Sequence, residues 1–67
     1  MLNQRLKELR NEKNFTLKFV AEQLNVTIRT ICRYEDGSRE PSISMLKTLC
    51  DFYDVSADYL IGRTDDY

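Results

Sequence analysis

Four hydroxyl residues, Thr16, Thr27, Ser42 and Ser56, constrain this chain more than any other feature. Each stands directly before a short amphipathic run, the position where a hydroxyl accepts a bond from an orphan N–H of the first helical turn. The runs predicted between them are Leu17 to Leu24, Ile28 to about Asp36, Ile43 to Tyr53, and a short one ending before Gly62. Ahead of them, Leu2, Leu6 and Leu9 recur at i, i+4 and i+7, the stripe of a helix running to about Lys13. Asn14 and Asn25 suit left-handed turn positions, Gly37 suits a helix stop, and Pro41 announces the next start. Strand-like alternation of useful length is absent. The expectation is an all-α, compact five-helix bundle.

The core follows from the same periodicity. Val20, Ala21 and Leu24 turn inward on the second helix, Ile31 and Tyr34 on the third, and Leu46, Leu49, Cys50 and Tyr53 on the fourth. Phe15 and Val20 are spaced as a hydrophobic staple, and Val26 should plug back into the core. Phe19 is expected to be exposed, with no role assigned. A chain of 67 residues supports one core, so residues 1–62 are read as one domain and 63–67 as a short acidic tail.

Charge narrows the function. Net charge is -1, yet residues 1–50 hold nine Lys/Arg against six Asp/Glu, and residues 51–67 hold Arg63 against five aspartates. Such a split hints at a surface for a polyanion. Cys32 and Cys50 read as free thiols, Cys50 toward the core and Cys32 half-exposed; without histidine or a C-x-x-C spacing no zinc ligand set exists. There is no glycine-rich phosphate cradle and no nucleophile with an activating partner, so neither an enzyme, a cofactor nor a small-molecule ligand is expected. No apolar run approaches the roughly 20 residues of a membrane span, and "MLNQRLKELR" is not a secretory signal. No membrane partner is expected, and the localisation expected is cytoplasmic.

One segment answers the charge question. In "NVTIRTICRYEDGSREPS", residues 25–42, burying Ile31 and Tyr34 turns Arg29 and Arg33 directly outward, stacked at i and i+4. The second helix, with small Ala21 near its end, lets this third helix cross closely. The result is an exposed helix held by another, with long donors facing out.

Ala21, Asn25, Val26, Ile31 and then "RYEDGSREPS" resemble the Cro/repressor-type (XRE-like) helix-turn-helix family of DNA-binding regulators. The likeness begins at "RLKELR" (5–10), runs through Thr16 and "VAEQL" (20–24), and closes with "VSADYLIG" (55–62). It implies a lambda-repressor-like bundle with helices two and three as the helix-turn-helix. It also implies a repressor that binds a palindromic operator in double-stranded DNA as a homodimer, with helix three in the major groove. Thr27, Ile28, Arg29, Thr30 and Arg33 fall where family members meet bases or adjacent phosphates. Leu17 and Lys18 open the helix that approaches the backbone, and Ser38 and Arg39 lie in the loop that grips it. Arg10 and Glu35 match a structural ion pair, and Tyr59, Leu60 and Ile61 lie near the family's dimer contact. This chain departs from the family's frequent polar residues at Leu17 and Ile28; Ile28 can pack on a thymine methyl instead. A second class, a helix-turn-helix fold serving as an anti-repressor or antitoxin-like interaction module, would use exposed Leu17, Phe19 and Ile28 as its apolar patch.

Overall fold

A computed structural model describes residues 2–67. The element order is α1 (Leu2–Glu12), α2 (Leu17–Leu24), α3 (Ile28–Asp36), α4 (Ile43–Tyr53) and α5 (Ala57–Leu60). The four predicted hydroxyl caps all form. Thr16, Thr27, Ser42 and Ser56 have extended backbones, and each side-chain oxygen accepts the N–H three residues on, from Phe19, Thr30, Met45 and Tyr59. Left-handed residues stop the helices before them: Asn14 at φ 57°, Asn25 at φ 57°, Gly37 at φ 84° and Asp54 at φ 56°. Asn tolerates this region because its short polar side chain bonds locally. Asp54 does the same work without glycine's freedom.

The apolar stripes meet in one core. Leu9, Leu49, Leu60 and Val20 are its largest fully enclosed side chains, joined by Leu6, Ala21, Leu24, Ile31, Tyr34, Tyr53, Val55 and Tyr59. α3 packs against both α1 and α2, while α5 packs against α1 and α4. Val26 is half-buried against this core, as the plug reading required. Cys50 is half-buried rather than enclosed, and burial, then the Asp51 charge, pushes its thiol above the ordinary value. Cys32 is also half-buried.

Two regions gain a role that the sequence left unassigned. Phe19 remains 38% exposed, but its ring lies 4.7 Å from Phe15 and 6.5 Å from Phe52, in a trio that seals the α2–α4 side. Its role is packing. Residues 63–67 lie back along the molecule. Arg5 donates to the Tyr59 and Thr64 carbonyls (2.7 and 2.6 Å) and to Asp65 (2.7 Å), with its guanidinium 4.2 Å from the centre of the Tyr59 ring. The Tyr67 main-chain oxygen accepts the Ser56 N–H (2.6 Å), its ring meets Tyr59 edge-on, and its hydroxyl donates to Glu12 (2.5 Å). That last bond pushes the Tyr67 phenol up to about 12. The tail therefore straps α5 to α1. Among the described residues no helix is long and apolar enough to cross a membrane.

Candidate nucleic-acid interface

The turn between α2 and α3 is three residues long because Asn25, Val26 and Thr27 each do a separate task. The Val26 N–H reaches back to the Ala21 carbonyl (3.0 Å), closing α2 in a Schellman-type stop. Thr27 then starts α3, and its Oγ1 takes both the Thr30 N–H (3.2 Å) and a hydroxyl contact to Thr30 Oγ1 (3.0 Å). Both hydroxyls of Thr27 and Thr30 are thus engaged with each other. Any contact they make to an outside group must share or replace that bond.

Beyond the cap, α3 shows two faces. Ile31 and Tyr34 are buried, while Arg29 and Arg33 are exposed, along with Ile28 at 46% exposure. Among the described residues the side chains of Arg29, Arg33 and Arg39 make no hydrogen bond or ion pair within 4.0 Å. Their donors face outward, unsatisfied except by solvent. Lys18 and Ser38 are likewise exposed, and Leu17 is half-buried against the core at the mouth of an open groove that Lys7, Arg10 and Cys32 also line. Burial of Leu17 corrects the expectation of a three-residue apolar patch. With Phe19 packed on Phe15, only Ile28 of the three stands clear of internal partners.

Behind this face sits the polar anchor. Arg10 Nε donates to Glu35 Oε2 (2.7 Å), Nη2 to Glu35 Oε1 (3.1 Å), and Nη1 to the Phe15 carbonyl (3.0 Å). The two side chains are only 14% and 9% exposed. The fork geometry matches the carboxylate bidentately and raises the Arg10 pKa further, chiefly through the hydrogen bonds to Glu35. One guanidinium thereby fastens α1 to the last turn of α3 and to the entrance of α2. Tyr53 lies beside the pair, its phenol pushed up to about 12 by burial first and by the Glu35 charge second.

Beyond α3, the loop of Gly37 to Arg39 is ordered by its own backbone. The Arg33 carbonyl accepts both the Gly37 N–H (3.1 Å) and the Arg39 N–H (3.3 Å), and Asp36 Oδ1 accepts the Ser38 N–H (2.8 Å). At the far end of the molecule, Tyr59 and Leu60 are buried in the chain's own core, with the Tyr67 ring edge-on to Tyr59. Of the three residues expected at a subunit contact, only Ile61, at 47% exposure, is available to a second chain. Arg5 and Tyr67 occupy this end, and no local pattern in the sequence signals it.

An exposed, arginine-bearing helix seated across a second helix by a three-residue turn defines a helix-turn-helix domain. Residues 6–60 match the helix-turn-helix family (HTH_3), and the chain belongs to it. It is 42% identical over 59 residues to the HTH-type transcriptional regulator AnsR of Bacillus subtilis (strain 168), covering 88% of this chain and 51% of that protein. It is 39% identical over 64 residues to the HTH-type transcriptional regulator ImmR of the same organism, covering 96% of this chain and 50% of that protein. The chain spans about half the length of these curated relatives. Among solved structures it resembles SinR, a master regulator for biofilm formation, in complex with DNA. There the TM-score is 0.80 at 32% identity, over 91% of this chain and 98% of that one.

Proposed function

We propose that this chain is the sequence-specific DNA-binding domain of a transcriptional regulator and that α3 is its reading helix. The observation that carries the reading is the outward pair Arg29 and Arg33, free of internal partners on a helix whose other face is buried. Near the start of α3, Arg29 is assigned to base edges, most simply guanine O6 and N7; Arg33, one turn on, reaches a second base or a phosphate. Ile28 packs on a thymine methyl. Lys18, Ser38 and Arg39 flank the helix and take the sugar-phosphate backbone, with Thr27 and Thr30 at its capped end. Leu17 contributes by packing that sets the start of α2. Likeness to a regulator solved on DNA supports this reading.

The regulator acts as a repressor, occluding a promoter as a two-fold dimer on a palindromic operator. Its subunit contact is centred on Ile61, weak in free solution and strengthened by adjacent half-sites. The competing interaction-module reading is weakened, because Leu17 packs against the core and the Phe19 ring, though 38% exposed, rests on Phe15. Two measurements test the proposal. Affinity for duplex DNA should fall steeply and linearly on a log–log plot against salt, because each neutralised phosphate releases counterions. Sedimentation on a selected operator should show two chains per site, reduced to one by Ile61→Asp. Salt-independent binding, or a single wild-type chain on a two-fold operator, contradicts it.

A further inference from the structure

Asp36 is an anion where an anion is costly. It is the last residue of α3, where the helix dipole disfavours negative charge, and it is exposed between Arg33 and the Ser38–Arg39 loop. Of the two acids between Thr27 and Arg39, Glu35 is engaged by Arg10, so Asp36 alone is left to face phosphate. An acid at this point weakens attraction to a polyanion unless it supplies something else.

What it supplies is an acceptor. Its Oδ1 takes the Ser38 N–H at 2.8 Å, while the Arg33 carbonyl takes the Gly37 and Arg39 N–H groups. From the α1 side the loop is closed by Asn3: a Cβ on Gly37, already at φ +84°, would lie 3.3 Å from Asn3 Nδ2. Hydrogen bonding to Ser38, and to a lesser degree the Arg33 charge, holds the Asp36 carboxyl below its ordinary range. The acceptor is therefore anionic throughout the neutral range. Two acceptors on α3, Asp36 Oδ1 and the Arg33 carbonyl, thus hold the loop, with the Asn3 side chain of α1 beside Gly37.

We propose that Asp36 is a positioning residue for DNA contact: by accepting the Ser38 N–H it fixes how Ser38 and Arg39 are presented to the phosphate backbone, against the repulsion of its own charge. The inference rests on the DNA-binding reading above and adds to it a residue that touches no DNA.

Charge and acceptor can be separated. Asp36→Asn keeps an acceptor oxygen and removes the charge, whereas Asp36→Ala removes both; the side chain is exposed, and a cooperative thermal transition in each variant will verify that both fold. On a labelled mixed-sequence duplex, the Asn variant should bind roughly fivefold more tightly than the Ala variant, the scale of one net hydrogen bond. In an Arg39→Ala background that gap should collapse, since the restraint acts through Arg39. Amide exchange at Ser38 should be slow in the wild type and the Asn variant and fast in the Ala variant. Equal duplex binding by the Asn and Ala variants, with the wild type still binding, overturns the positioning role and leaves the DNA-binding reading intact. A gap that persists undiminished without Arg39 overturns it too. A wild-type chain that binds no duplex at any salt removes both.

Discussion

The arginines of α1 and those of α3 with its following loop live under opposite conditions. Along α1, Arg5 and Arg10 each make three hydrogen bonds, with side chains 11% and 14% exposed. On α3 and the following loop, Arg29, Arg33 and Arg39 are exposed and make none among the described residues. The chemistry of the side chain is the same; its surroundings decide its role. A half-buried guanidinium must have its donors satisfied, so it becomes part of the fold. An exposed one keeps its rotamer freedom until a ligand takes it up. Structural arginines should therefore change stability, and exposed ones should change binding.

The largest effect belongs to the anchor. Arg10→Ala strands the Glu35 carboxylate and frees the Phe15 carbonyl, and should cost on the order of 3 kcal/mol in urea-unfolding free energy. Replacing Arg10 and Glu35 together by well-fitting apolar residues should cost far less. Arg5→Ala should come next, at about 2 kcal/mol, because it releases two carbonyls and the strap together. Asp65→Ala, at the 96%-exposed end of the same contact, should leave the thermal midpoint unmoved. If Arg5→Ala behaves like Asp65→Ala, the contrast between held and free arginines fails at its structural end.

Smaller effects test the other end. Arg29→Ala should cost ~1–3 kcal/mol in operator affinity and relax preference at one base position, with stability unchanged. A phosphate-bound Arg33 would lose affinity for all sequences alike and lower the salt slope by about 1. The smallest effect is pH-dependent. Because the Asp36 pKa is depressed in the folded chain, its contribution is present above the ordinary carboxylate value, near pH 4, and is lost as pH falls through the folded value. Asp36→Asn should flatten that part of the acid limb in urea midpoints; an unchanged limb would show that the ionised carboxylate adds no stability beyond that of a neutral acceptor.

Much of this was legible in the sequence because the deciding interactions are local. Thr16, Thr27, Ser42 and Ser56 each bond a backbone N–H three residues on, so their meaning travels with the text. The outward set of Arg29 and Arg33 follows from helical geometry once Ile31 and Tyr34 are inside. The strap was invisible because Arg5 meets partners 54 to 60 residues away, two of them carbonyls that no side-chain pattern announces. Tyr59 and Leu60, placed by resemblance near a dimer contact, are buried within the chain, by contacts that the sequence pattern does not announce. Phe19 is exposed as expected, but its ring neighbours were hidden, because a helical wheel cannot show Phe52 arriving from α4. Asp36 marks only a helix end in the sequence; its bond to Ser38 depends on the turn made at Gly37.

The central claim is that α3 reads DNA through arginines that the fold leaves free. Its most direct test is the Arg29→Ala, Arg33→Ala double variant, titrated against selected operator and mixed-sequence duplex over a range of salt, with thermal midpoints alongside. With α3 as the reading helix, the double variant should keep the wild-type midpoint, lose operator preference and show a shallower salt slope. An unchanged operator affinity and preference in a folded double variant would contradict it and would remove α3 as the reading element.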